Sequence, residues 1–210
     1  MGRVWVAINA YEEAGSLSRA IASARRAAPK ASIVVVDGAY AKFPHVEGPE
    51  STDGTIEEAE RLADLVIRCR EVDGKRVAWT DEVEKRNAYF VGEVGDTYVV
   101  LDADEELRGS VPERFFVHDM DVMLQRDDEV PPSPVYRVHA HREGMRYEGA
   151  HNALWVGDRL INSERRHVAK EFSIFHHAMK RPASRTARKG IYYEWLVEYE
   201  KEFRQRHAMV

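Results

Sequence analysis

Ile33-Val34-Val35-Val36 is apolar at every position and stops at Asp37. A strand that offers neither face to water must be covered on both. The common solution is a parallel sheet with crossover helices packed on its two sides. The chain repeats this pattern. Arg3 to Asn9 is a second apolar, β-branched segment, Asp64 to Arg68 a short third, and Thr97 to Leu101 a fourth. Between them lie helical patterns. Ser16 opens a helix with Leu17, Ile21, Ala24 and Ala28 on one face, and Pro29 closes it. Thr55 and Glu58 have capping-box spacing before Ile56, Ala59 and Ala63. Trp79, Val83 and Phe90 predict a helix over Thr80 to Val94. Four strands alternating with helices predict an α/β fold whose parallel sheet is joined by right-handed crossovers.

After Pro131-Pro132 the pattern changes. Val135 to His141 and Tyr147 to Val156 read as strands around a turn at Glu143-Gly144. A final helix is expected near Ser184 to Arg206, with Ile191, Trp195, Leu196, Tyr199 and Phe203 as its apolar stripe. The 210 residues, 44% of them hydrophobic, suffice for one domain. Its expected parts are residues 1–108, a mixed region 109–180 and a basic helix 181–210.

Composition narrows the function classes. A net charge of −5 argues against coating nucleic acid, although Arg137 to Arg206 is rich in Arg, Lys and His. No apolar run approaches the ~18 residues of a membrane span. The N-terminus runs into a strand pattern without a signal-peptide core, so a cytoplasmic location is expected. A single cysteine, Cys69, excludes an intramolecular disulfide and a multi-cysteine zinc site. It is expected as a small half-buried side chain at a strand end rather than a nucleophile.

Ligands of open parallel sheets sit beyond the carboxyl ends of the strands. Three of the expected strand ends are polar: Asn9 with Tyr11, Asp37, and Asp102 with Asp104. The Asp102-Ala103-Asp104 pair is the sharpest feature. Two carboxylates two residues apart past a strand can converge on a hard cation such as Mg²⁺ or Mn²⁺, and a cation there offsets charge on a diphosphate leaving group. An acidic turn or helix cap is the plain alternative, and Glu105 is expected as first-turn helix charge.

Five segments carry a family resemblance. They are Asn9-Ala10-Tyr11-Glu12-Glu13, Val36-Asp37-Gly38, Ser51-Thr52-Asp53-Gly54-Thr55, Lys85-Arg86-Asn87 and Leu101-Asp102-Ala103-Asp104-Glu105-Glu106-Leu107. In this order, over about half the chain, they resemble the nucleotide-sugar half of family 2 glycosyltransferases, which have the GT-A fold. The chain departs from the family by inserting Ala39 to Glu50 between the second and third segments.

The resemblance implies transfer of a sugar from a nucleotide diphosphate donor, UDP-linked by expectation, to a hydroxyl acceptor, with Mn²⁺ or Mg²⁺. It implies that Asp37 accepts a hydrogen bond from the base, that Ala10-Tyr11 flanks the base, that Asp102 lies near the ribose or metal, and that Asp104 ligates the metal. Asn9 belongs to the same donor site. Lys85 and Arg86 are expected on an exposed helix face, where a solvated cation is the default and donor contact the alternative. Asn87 is expected to buttress the cleft.

Arg146-Tyr147-Glu148-Gly149-Ala150-His151-Asn152 resembles a family segment in which a histidine is followed by glutamate, close to where the catalytic base lies, but Asn152 stands at the glutamate position. Asparagine cannot take a proton, so Glu148, His151 or Asp158 is the candidate base of an inverting reaction, and a retaining reaction is the alternative. In related enzymes a late histidine completes the metal shell. His176 and His177 are the candidates here; adjacent strand residues face opposite ways, so only one of them is expected to point to the cleft, and a satisfied or surface histidine is the plain alternative for either. Lys180, Arg181, Arg185 and Arg188 follow, and two readings stand side by side for them: a basic segment that closes over a diphosphate, or a solvated helix start.

Two other enzyme classes fit the sequence less well. A sugar-1-phosphate nucleotidyltransferase needs a basic glycine-rich loop after the first strand, whereas Asn9 to Ser16 has one glycine, Gly15, and no Lys or Arg. An aspartyl-nucleophile phosphatase carries its Asp-x-Asp after the first core strand, not the fourth. A non-catalytic carbohydrate- or nucleic-acid-binding module on the same fold is the reading from another class.

Overall fold

The computed structural model describes residues 2–41, 48–112, 119–127, 130–149, 153–161 and 167–177, with isolated helical residues Gly190, Glu194, Val197, Glu198 and Lys201. The first half contains β1 (Val4–Ala10), α1 (Ser16–Ala27), β2 (Ser32–Asp37), α2 (Thr55–Leu62), β3 (Leu65–Ile67), β4 (Arg70–Val72), β5 (Lys75–Val77), α3 (Glu82–Asn87) and β6 (Thr97–Asp102). It continues with β7 (Glu105–Gly109), β8 (Met120–Arg126), β9 (Ser133–Ala140), β10 (Met145–Tyr147), β11 (Leu154–Val156), β12 (Arg159–Leu160) and β13 (His167–His176).

The main sheet has the order β3-β2-β1-β6-β9-β8-β13-β7. The four expected strands are its parallel part: β1 lies between β2 and β6, and β3 pairs β2. Beyond β6 the sheet turns mixed, with β9 antiparallel to both β6 and β8, β13 parallel to β8, and β7 antiparallel to β13. Thus the α/β class holds, within a mixed sheet carrying few helices.

Alternation along β1 explains the layering. Val6 and Ile8 join Leu17, Ile21 and Ala24 of α1 in one apolar cluster, while Trp5 and Ala7 join Tyr89, Tyr98 and Tyr147 in another on the opposite side. With both faces covered, Val6, Ala7 and Ile8 are wholly buried.

Several local expectations are corrected. The cap of α1 is Gly15 at φ 81°, and Ser16 instead turns its hydroxyl to the Glu13 carbonyl and carboxylate. The Thr55–Glu58 capping box does not form, because Thr55 Oγ1 bonds to Asp53 and Glu58 accepts from the Gly15 N–H. The helix expected over Thr80 to Val94 is confined to α3. Its cap is Asp81, which accepts from the Glu84 N–H at 3.0 Å.

A hairpin of β4 and β5 precedes that helix, turning at Asp73-Gly74 with φ of 50° and 73°, a pair suited to a two-residue turn. Gly38, at φ 122°, ends β2 so close to Cys69 and Trp79 that an added Cβ would lie 2.8 Å from the Cys69 Cβ. Cys69 itself is buried, which pushes its thiol up to about 11. The apolar stripe expected at Ile191, Trp195, Leu196, Tyr199 and Phe203 lies outside the described residues.

Candidate functional site at the strand tips

Parallel pairing fixes which strand ends meet. Ala10 is opposite Asp37 and Asn9 is opposite Asp102, so the polar tips of β2, β1 and β6 form one edge. The loop after β1 is fastened there by the segment that opens α2. Four successive backbone N–H groups, from Glu12, Glu13, Ala14 and Gly15, donate in turn to the side chains of Ser51, Thr55, Asp53 and Glu58. Glu12 holds a left-handed backbone at φ 53°, and its carboxylate accepts from the Thr52 N–H at 2.7 Å. These bonds account for the polar spacing of Ser51 to Thr55, which otherwise has no core to serve.

Asp37 is fully buried. Its Oδ1 accepts from the Ser51 hydroxyl at 2.5 Å and its Oδ2 from the Ser51 N–H at 3.0 Å. Asp37 therefore ties β2 to the Ser51 loop. Tyr11 is partly exposed beside it and donates to the Gly48 carbonyl at 3.1 Å. Asn9 is buried, and neither its amide oxygen nor its amide nitrogen has a hydrogen-bond partner among the described residues. An amide buried in this way costs free energy unless something polar reaches it.

The expectation of a solvated Lys85 is overturned. Only 2% exposed, it donates to the Ala10 carbonyl at 2.6 Å and the Gly38 carbonyl at 2.7 Å. Those two carbonyls close β1 and β2, so Lys85 staples the tips together. Burial lowers its ammonium to about 8 against the pull of Asp37, Glu82 and Asp102. Tyr40 lies 5.3 Å from the ammonium. Arg86 is also buried. It grips Glu82 at 2.7 and 2.9 Å, and its guanidinium is 3.8 Å from Asp102. Burial works against that charge, and Glu82 and Asp102 more than restore it. Asn87 turns away from the strand tips: its amide pairs with both the N–H and the carbonyl of Tyr147 in β10.

The Asp102-Ala103-Asp104 turn divides its two carboxylates between different partners. Asp102 faces Arg137 at 3.4 Å as well as Arg86. Glu105 is not in a helix. It begins β7, is buried, accepts from the Asp102 N–H at 2.8 Å and pairs with Arg137 at 2.9 Å. Burial raises its carboxyl to about 7 although Arg137 pulls the other way. Asp104 is buried, and its Oδ2 lies 3.3 Å from Nε2 of His176 at the end of β13. The Asp104 carbonyl accepts from the His177 N–H at 3.0 Å. The His177 ring turns to Glu106 at 2.7 Å, with Asp127 3.9 Å from its other nitrogen.

Of the four expected metal ligands, the fold thus pairs Asp104 with His176, sets Asp102 among arginines and gives His177 to Glu106. No cluster of three or more His, Cys, Asp or Glu side chains suited to a metal occurs among the described residues. A carboxylate beside an imidazole suits Mn²⁺ in donor type.

Glu148 is exposed and forms an ion pair with Arg146 at 2.6 Å. Asp158 is exposed in the turn between β11 and β12. His151, Asn152 and Arg181, with Lys180, Arg185 and Arg188, lie outside the described residues. Three residues of the cluster were missed in sequence: Ser51 as the partner of Asp37, Glu82 as that of Arg86, and Arg137. A basic residue in a strand pattern, where an inward charge needs a partner, was the available signal for Arg137.

No protein-family model and no curated protein matches the chain. A crystal structure of S. aureus TarS 1-349 is similar over 50% of this chain and 28% of that one, at 17% identity and a TM-score of 0.35. A second crystal structure of S. aureus TarS is similar over 59% of this chain and 21% of that one, at 14% identity and a TM-score of 0.35. TarS is a glycosyltransferase. The chain spans less than a third of the length of either TarS structure. Among the described residues, no helix is long and apolar enough to cross a membrane.

Proposed function

We propose that the chain binds a nucleotide diphosphate sugar, UDP-linked, at the tips of β1, β2 and β6 and transfers its sugar to a hydroxyl acceptor. The observation that carries this reading is the pairing of Asp104 with His176, 3.3 Å apart, beside Asp102. A carboxylate and an imidazole 72 positions apart in sequence are held side by side, a donor pair that in this reading seats the counter-ion of the diphosphate. The five sequence segments resembling family 2 glycosyltransferases all have residues at this edge.

In this reading Asp104 and His176 hold Mn²⁺ or Mg²⁺, which when bound neutralises charge on the departing diphosphate. Asp102, oriented by Arg137 and Arg86, takes the ribose hydroxyls. Tyr11 flanks the base. Asp37, through spare acceptor capacity on its two oxygens, reads a base N–H once the Ser51 hydroxyl gives way. Asn9 offers its amide to the same ligand. The acceptor proton goes to Glu148 or His151 in the segment after β10, and Arg181 closes over the diphosphate.

Release of UDP from a panel of UDP-sugars, measured with Mn²⁺ and with EDTA, checks the reading. Turnover that needs Mn²⁺ and vanishes in Asp104→Ala supports it. Turnover that survives in the folded variant removes the proposed role. A nucleotidyltransferase would instead form the nucleotide sugar from UTP and a sugar phosphate. A glycan- or nucleic-acid-binding module would ignore UDP and Mn²⁺ altogether.

A further inference from the structure

We infer that Asn87 is a positioning residue for the acceptor side, and that α3 links it mechanically to the nucleotide end of the sheet. The inference rests on the functional reading above and names how its two halves are joined.

Three consecutive side chains of α3 reach three different parts of the molecule. Lys85 holds the carbonyls that end β1 and β2. Arg86 reaches Asp102 at the end of β6, and its guanidinium lies 5.8 Å from the Tyr147 ring. Asn87 donates from Nδ2 to the Tyr147 carbonyl at 2.9 Å and accepts at Oδ1 from the Tyr147 N–H at 2.7 Å.

This last contact imitates a strand pairing. Among the described residues β10 has only β11 as a neighbour in its sheet, and the Asn87 amide satisfies Tyr147 where a further strand would. Tyr147 is anchored at its other end too. Its hydroxyl accepts from Tyr89 at 2.7 Å and lies 2.9 Å from Nε2 of the buried His139, while its ring stacks on Phe90 at 5.7 Å. Glu148, a candidate proton acceptor, follows immediately in sequence. A ligand that immobilises the strand tips therefore restrains Lys85 and Arg86, and through one short helix the backbone that carries Glu148.

Hydrogen exchange on the whole chain, with and without UDP plus Mn²⁺, tests the link. Calorimetry on the same samples establishes whether UDP binds. In the wild type, bound UDP and Mn²⁺ should slow exchange over residues 145–149 by about fivefold or more, the lower end of ordinary site-to-site coupling. The β4–β5 hairpin serves as internal reference for general stabilisation. In Asn87→Ala the slowing over 145–149 should vanish while UDP affinity stays within about threefold, less than that coupling.

Slowing that persists in the variant, or bound nucleotide without slowing in the wild type, overturns the inference and leaves the functional reading standing. Absence of UDP binding overturns both. Should Asn87→Ala not fold, the wild-type comparison decides alone.

Discussion

Ser51→Ala probes the fastening of the strand tips most cleanly, because it removes one oxygen from a buried, well-defined place. The Ser51 hydroxyl donates to Asp37 at 2.5 Å and accepts from the Glu12 N–H at 2.8 Å. The first bond ends on a carboxylate with no exposure to water, and such charge-assisted bonds contribute roughly 1.5–3 kcal/mol. The second, between neutral groups, contributes about 1 kcal/mol. The backbone bond from the Ser51 N–H to Asp37 survives the substitution, so the carboxylate is not abandoned. The expected loss is therefore about 3 kcal/mol, a substantial part of the ~5–15 kcal/mol that holds a domain of this kind folded. With a urea slope of about 2–3 kcal/mol/M, the denaturation midpoint should fall by about 1–1.5 M with the slope unchanged. Thr52→Ala is the control. Thr52 is exposed, its hydroxyl bond to Glu12 is 3.2 Å long, and its loss should stay within about 0.5 kcal/mol. A Ser51→Ala midpoint within about 0.2 M of wild type would refute the account of how β2 and the Ser51 loop are joined.

Other substitutions test the charged cluster and the core. Arg137→Met strips the buried Glu105 of its cation and should cost about 3–5 kcal/mol at pH 8. Burial already raises the Glu105 carboxyl, so the folded state takes up a proton before the unfolded chain does. Without the Arg137 cation that carboxyl rises further, so the variant takes up its proton at higher pH than wild type. The deficit should therefore shrink as pH falls towards about 7 and level off below it, and a deficit that stays constant down to about pH 7 in thermal unfolding would contradict this. Cys69, with its thiol pushed up to about 11, should label with a thiol reagent at pH 8 at least about a hundredfold more slowly in native protein than in urea. Gly74→Val places a β-branched residue at φ 73° in the Asp73-Gly74 turn. It should lower stability by about 1–2 kcal/mol in urea denaturation without altering UDP binding.

The parallel half of the fold was legible because period and punctuation agree there. Uninterrupted apolar runs ending at Asn9, Asp37 and Asp102 can only be inner strands, and register then brings their tips together. The second half was less legible for physical reasons. Strand β7 follows the Asp-Ala-Asp turn with acidic residues, Glu105 and Glu106, whose strand conformation depends on pairing with β13, about seventy residues distant. The helix expected across Thr80 to Val94 is cut to α3 because Tyr89 and Phe90 leave the helical repeat to pack against Tyr147 and Tyr98. Lys85 misled most. A lysine on a short helix reads as a solvated charge, and nothing local announces that two strand-ending carbonyls will enclose it. The β4–β5 hairpin was not expected, although Asp73-Gly74 between short β-prone runs carries the signal of a two-residue turn.

The central claim is that Asp104 and His176 together seat the divalent ion of a bound nucleotide. Electron spin echo spectroscopy of Mn²⁺ bound with UDP reads the coordinating atoms directly. The account predicts an imidazole nitrogen coupling in the wild type that disappears in His176→Gln, with metal-dependent UDP binding lost in Asp104→Ala. Bound Mn²⁺ and UDP without nitrogen coupling in the wild type, or with the coupling intact in His176→Gln, would contradict it.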